Sequence, residues 1–314
     1  MLFVVWGPLV LQLLIPLSLL AWLAFGRPSS RGGWALRVLI VACYLAAIGS
    51  GGLWLIVPWY TPIVYAGLFT LAAFLSRRNA RSLPAVPSGS RRWAAIGVMG
   101  MIAALFAGLA MYVVSGWRRP ADVVELSFPL GEGTYLVVNG GGNALINAHY
   151  GTLEKERLRR WRGQSYGVDI AKINGLGFRA RGILPRHLPA YEIFGEPLYA
   201  PCGGEVVAAM DGVREMTPPE MDRQNMAGNH IILKCGEVWV LLGHLQRGSV
   251  RVAAGQRVPA RQVVARVGNT GNTGEPHLHI HAQRPGTEEV PLSGDPLPVV
   301  FDGRYLVRNA RILK

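Results

Sequence analysis

The sequence predicts two kinds of structure in one chain: an α-helical membrane anchor of four spans over residues 1–117, then a mainly β domain built on an antiparallel sheet over residues 118–314. Three observations carry this. Long apolar runs are confined to the first part, which contains no Asp or Glu. The second part breaks into short alternating runs separated by Gly-, Pro- and Asn-rich turns.

Residues 2–25 form a continuous apolar run ended by Gly26-Arg27, long enough to cross a hydrocarbon core of roughly 30 Å at about 1.5 Å per residue. No basic segment precedes it and further apolar runs follow, so it reads as a span and not as a cleaved signal peptide. The second, third and fourth spans are predicted at Ala35 to Val57, Trp59 to Leu75 and Trp93 to Val114. Of the ionisable groups, only Arg37 comes near a span, at a helix end, so an anchor is favoured over a transporter. Gly100, Ala104 and Gly108 fall four apart on one helix face, a spacing that suits close packing within the bundle or against another membrane protein.

Charge sets the orientation. The first 117 residues hold eight arginines, no lysine and no acid, out of a net +13 for the chain. Arg27 and Arg31 follow the first span, and Arg77, Arg78, Arg81, Arg91 and Arg92 separate the third from the fourth, whereas Pro58 to Pro62 is uncharged. By the positive-inside rule the arginine loops are cytoplasmic and the β domain lies outside. The soluble part has 24 Lys and Arg against 19 Asp and Glu, with no basic face interleaved with aromatics. That pattern excludes nucleic acid as the expected partner.

In the β domain, Val123 to Phe128, Thr134 to Val138, Glu205 to Met210 and Gln262 to Val267 read as strands, and His230 to Lys234 with Val238 to Leu242 as a hairpin about Cys235-Gly236. The charged run Leu153 to Arg162 reads as a solvated loop or short helix, and Met210 to Gly228, with Pro218-Pro219, as a surface loop rimming the site. Of the three cysteines, Cys43 lies in an apolar span; outside the cytoplasm Cys202 and Cys235 can form a disulfide.

The candidate site centres on Glu275-Pro276-His277-Leu278-His279-Ile280-His281. On a strand the three imidazoles share one face while Leu278 and Ile280 enter a core. Four of the seven histidines lie between His244 and His281, and the glycine-rich run Gly268 to Gly274 directly precedes the triplet. A second stretch, Gln164 to Ile170, would place Ser165, Gly167 and Asp169 on one strand face, with Gly167 leaving room beside a carboxylate that could complete a His/Asp metal site.

These residues resemble the lysostaphin-type, or LytM-domain, zinc metallopeptidases that cut peptide cross-links in bacterial cell walls. Ser165-Tyr166-Gly167-Val168-Asp169 is similar to the family's H-x-G-x-D motif except at its first position, Leu242-Gly243-His244-Leu245 to its aromatic-Ala/Gly-His-Leu motif, and Gly268 to His279 to its Gly/Thr loop leading into P-H-L-H. The resemblance spans about residues 130–284. It implies a zinc cofactor held by Asp169 and His279, with His244 and His277 orienting the attacking water and stabilising the tetrahedral intermediate. It further implies a peptidoglycan or other extracytoplasmic peptide substrate, in a multi-pass protein of the bacterial cytoplasmic membrane.

Serine is a poor zinc ligand beside imidazole, so Ser165 divides the expectation. In one reading His149, carried by Asn147-Ala148-His149, folds back beside Asp169 as the third ligand, with Asn147 orienting it and His281 as second choice; His187 and His230 are surface or framework residues. In the other, the domain is a degenerate, non-catalytic module that binds wall or regulates another hydrolase.

Overall fold

The computed structural model describes residues 7–286 and 291–314, which fall into two units, Met1–Ser115 and Gly116–Lys314. The start of the first apolar run, before Gly7, lies outside the described residues.

The first unit holds four helices: α1 (Gly7–Phe25), α2 (Arg31–Gly51), α3 (Thr61–Ala80) and α4 (Ser90–Ser115). The expected count of four spans is not confirmed, because among the described residues only α1, α2 and α4 are long and apolar enough to cross a membrane. Helix α3 falls short since its apolar face stops before Arg77 and Arg78 in the last turn. Ser30 caps α2, its side chain accepting from Gly33 N. Within α1, Val10–Leu14 widens into a π turn. The hydroxyls of Tyr44 and Tyr65 donate to Leu11 O at 2.7 Å and Gln12 O at 2.6 Å, supplying polar partners inside an apolar bundle. The backbone N–H groups of Arg31 and Gly32 donate to Pro84 O and Ala85 O, which joins the two arginine-bearing loops at one end of the bundle.

The second unit is organised by a nine-stranded sheet in which every pairing is antiparallel. Its centre runs from β2 (Thr134–Asn139) through β3 (Val168–Ile173), β10 (Leu278–Gln283), β7 (Val238–Leu245) and β6 (Asn229–Cys235) to β5 (Gly204–Met210). A small separate sheet contains one parallel pair, β1 (Val124–Leu126) with β12 (Val299–Phe301). Leu278, Ile280 and Ala282 are fully buried in the core and His279 and His281 take the alternate positions, the period-two pattern of a strand. Burial of each such Leu or Ile is worth about 1.5–3 kcal/mol, enough to fix the register. A one-residue slip would turn both imidazoles into the core.

Two local expectations are corrected. Strand β3 begins only at Val168, so Ser165 and Gly167 are not strand residues; Ser165 ends the helical turns Glu156–Gln164, in a helical backbone conformation. His277 likewise precedes β10, leaving His279 and His281 as the pair on that strand.

Cys202 and Cys235 are joined, with Cα atoms 6.0 Å apart and a sequence separation of 33. Closing a loop of that length stabilises a fold by about 3–4 kcal/mol in the chain-entropy account. Cys202→Ser is therefore expected to lower the midpoint of thermal unfolding of the β domain; a midpoint unchanged in the variant and under reductant would show that the bond contributes nothing.

Candidate metal centre and cleft

Strand pairing brings the first two groups together. Asp169 on β3 lies opposite His279 on β10 in register, so their side chains share a face, and His279 Nδ1 sits 2.8 Å from Asp169 Oδ1. The third group arrives from outside the sheet. His149, in a short helical turn between β2 and β3, places Nε2 2.9 Å from Asp169 Oδ2. The ligand atoms of His149, Asp169 and His279 all lie within 4.8 Å of one another, and the last two residues are buried.

The turn that carries His149 is held by polar contacts. Buried Asn147 donates from Nδ2 to Gly141 O and Gly167 O, and its Oδ1 accepts from His149 N. The Thr152 hydroxyl donates to His149 O and shares a 2.9 Å contact with Ser165 Oγ, which in turn donates to Arg162 O. Ser165 thus fastens the segment behind His149. Gly167 is required by space: a Cβ there would stand 2.8 Å from His279 Cε1 and 3.3 Å from His149 Cδ2. Gly167→Ala is expected to push the two imidazoles apart and weaken metal binding about tenfold or more, by analogy with disturbing groups that orient ligands; unchanged affinity in a metal titration would contradict this packing.

The carboxylate is oriented from behind. A bulge between Val137 and Asn139 turns Asn139 toward β3, and its Nδ2 donates to Asp169 Oδ2 at 2.8 Å. Asn139 Oδ1 accepts from Arg308, whose guanidinium also donates to Val138 O and Leu145 O. Burial pushes this arginine down to about 10, with Asp169 opposing the shift; it stays charged at neutral pH. Nothing near Asn139 or Arg308 in the sequence signals this role, since the partners are far apart in the chain.

His244 and His277 flank the cluster, their ring centroids 4.8 Å apart. His244 has φ of 60°, a conformation few non-glycine residues adopt, next to an irregularity in the pairing of β6 with β7. His244 Nδ1 donates to Thr270 O at 2.8 Å and His277 Nδ1 to Glu275 O at 2.9 Å. Because a carbonyl only accepts, both rings carry their proton on Nδ1 and keep a lone pair on Nε2. His277 Nε2 lies 3.5 Å from Asp169 Oδ1.

The electrostatics separate the groups. Burial holds His244 well below the ordinary imidazole range, and holds His279 below it too. Burial also works to lower His277, but the Asp169 carboxylate outweighs it and raises this ring. Burial works to raise Asp169, yet His149 and His277 hold it well below the usual carboxylate range. The remaining predicted residue, His281, is buried on the far side of His279, its Nδ1 2.9 Å from His279 Nε2. His187 is exposed, and His230 donates to or accepts from nothing in the cluster, its Nδ1 contacting Gly228 O.

A cavity of about 290 Å³ opens against His149, His244, His279 and His281, and is walled opposite by Leu158 and Trp161 of the charged run and by Met226. This run is helical turns, the short-helix alternative of the sequence reading, and lines the cavity through Leu158 and Trp161.

On an antiparallel β unit, two imidazoles and a carboxylate converge beside a cleft as a group that could hold a metal ion. Residues 192–291 are a peptidase family M23 domain, of the LytM/lysostaphin type. His244, His277 and His279 lie inside the matched stretch, and His149 and Asp169 precede it. No curated protein matches the chain. Similar solved structures include the catalytic domain of a mutant of the prophage-encoded M23 protein EnpA from Enterococcus faecalis, 23% identical over 38% of this chain and 68% of that one, TM-score 0.25. The lysostaphin catalytic domain from Staphylococcus simulans is 22% identical over 40% and 71%, TM-score 0.26. A zinc-containing peptidase from Vibrio cholerae is 29% identical over 30% and 24%, TM-score 0.22.

Proposed function

We propose that the protein is a membrane-anchored zinc metalloendopeptidase that hydrolyses peptide bonds in peptidoglycan, with residues 118–314 as its extracytoplasmic catalytic domain and residues 1–117 as its anchor. The observation that supports this best is the convergence of His149, Asp169 and His279. Two imidazole nitrogens and one carboxylate match zinc's preference for nitrogen and oxygen donors, and two of the three ligands have a second contact that orients them, His281 behind His279 and Asn139 behind Asp169. His149 fills the place that Ser165 leaves.

Zinc held there would polarise the scissile carbonyl and lower the pKa of a water toward about 7. The chain's own part is proton transfer and positioning. With Nδ1 of each ring on a carbonyl, Nε2 of His244 is left for the cleft that this ring lines, and Nε2 of His277 lies 3.5 Å from Asp169 Oδ1. One takes a proton from the attacking water as the C–O bond forms and delivers it to the leaving amine as the C–N bond breaks. Asp169 raises His277 above the ordinary imidazole range and so makes it the stronger base of the two, while burial holds His244 well below that range.

The arginine loops support the orientation. Arg27 and Arg31 stand at the same end of the bundle as the Arg77 to Arg92 loop, and the positive-inside rule makes that end cytoplasmic. Reporter fusions after Gly116 are expected to be active only as extracytoplasmic reporters; cytoplasmic activity would overturn the topology.

The full-length protein in detergent is expected to hold one zinc per chain and to release new amino groups from purified peptidoglycan, both lost in Asp169→Ala and in His279→Ala. A metal-free protein that still binds wall fragments would replace this reading with that of a non-catalytic wall-binding module.

A further inference from the structure

The roof over the site bears on which peptide it takes. The cavity beside the imidazoles continues past Trp161, Met226, Ala227 and Leu292 into a second hollow of about 210 Å³, and those four residues line both. The shared stretch is mostly apolar. Arg160 lines the second hollow and not the first, its guanidinium over the Trp161 ring at 5.2 Å. Among the described residues no carboxylate lines either hollow, and Arg160 has no ion pair, whereas its neighbour Arg159 is paired with Glu156. One hollow of this groove thus borders the His/Asp cluster, the four shared residues are mostly apolar, and the other hollow holds a cation that has no ion pair among the described residues.

We infer that this groove selects a peptide residue with an aliphatic stem and a terminal carboxylate next to the scissile bond, the stem lying along Trp161 and Met226 and the carboxylate on Arg160. This rests on the reading of the protein as a peptidase of wall peptides. The physical basis is complementarity. An aliphatic stem gains by leaving water against Trp161, Met226 and Leu292, and a guanidinium stacked on an aromatic ring is held in one plane, ready to take a carboxylate through two N–H groups. Trp161 and Arg160 belong to the same 148–164 excursion that supplies His149, so one segment provides a metal ligand and the recognition of the substrate.

The test uses synthetic cross-linked stem peptides that differ only in whether the acidic side chain is free or amidated. They are presented to the full-length, zinc-loaded protein in detergent, with kcat/KM and, at low temperature, affinity both measured. The free acid is expected to be preferred by about tenfold or more, the scale of one charge-assisted hydrogen bond. Arg160→Ala should remove the preference, Arg160→Lys keep part of it, and Arg160→Glu reverse it, with zinc content unchanged throughout. Trp161→Ala should raise KM for both peptides and leave their ratio alone. Cleavage with no preference for the acid, or with a preference that survives in Arg160→Glu, overturns the inference and leaves the peptidase reading standing. Tighter binding of the acid, dependent on Arg160 but without cleavage, supports the inference and removes the peptidase. Equal binding of both peptides without cleavage removes both.

Discussion

Zinc affinity of the full-length protein is expected to fall by more than about 100-fold in His149→Ala, beyond the roughly 10–100-fold that loss of an orienting neighbour costs, while His187→Ala leaves it unchanged. The expectation rests on contact: His149 Nε2 lies against Asp169 Oδ2, whereas His187 is exposed and stands outside the His149, Asp169 and His279 group. Ser165→His is not expected to restore binding in the His149→Ala background. Ser165 is fully buried, ends a helical turn and directs its hydroxyl at Arg162 O and Thr152, so an imidazole grafted there would have to displace the segment that carries residue 149. His281→Ala should fall in the intermediate range, because His281 touches His279 on its Nε2 side and not the carboxylate. Retained zinc in His149→Ala, measured by equilibrium dialysis against a chelator, would move the third ligand to His281.

The sequence displayed those parts of the site that depend on period-two alternation. His279 and His281 were legible because Leu278 and Ile280 between them mark a strand with one buried face, and the glycine-rich run before them marks a loop. The lead-in to Asp169 has the look of a strand in sequence, since Ser165-Tyr166-Gly167 alternates in the same way, but it is bent by the helical turns before it and by the hydrogen bond of Gly167 N to Gln164 O. His149 could be named as a candidate yet not placed, because its position is set by Asn147 reaching Gly141 and Gly167, contacts that no local pattern encodes. The groups behind Asp169 were invisible for a stronger version of the same reason: Arg308 meets Asn139 across 169 positions. In the first unit, composition marks the helices, but α3 ends its apolar run at Arg77, too early for it to count as a span.

One such long-range contact should have the largest effect on folding. Arg179 donates from Nε and from a terminal nitrogen to both oxygens of Glu275, at 2.8 and 2.7 Å, and its side chain is 5% exposed against 23% for Glu275. Replacing one partner of such a pair leaves the other charge desolvated and unpaired, at a cost of about 3–5 kcal/mol. Since Glu275 keeps some access to water, Arg179→Met is expected near the low end. That is a fall in melting midpoint of roughly 6–12 °C for a unit of this size. Removing both charges in Arg179→Met with Glu275→Gln should recover part of the loss, because no buried charge is then orphaned. The consequence reaches the cleft through the backbone: Glu275 O is the acceptor that fixes the proton of His277 on Nδ1 and also binds the Thr273 hydroxyl. Arg179→Met should therefore lower kcat in the molecules that remain folded, with zinc content retained, as the Nε2 lone pair of His277 loses its fixed direction. A variant that melts earlier yet turns over peptide at the full rate per folded molecule would confine Arg179 to stability and leave the placement of His277 to the Gly268 to Gly274 loop alone.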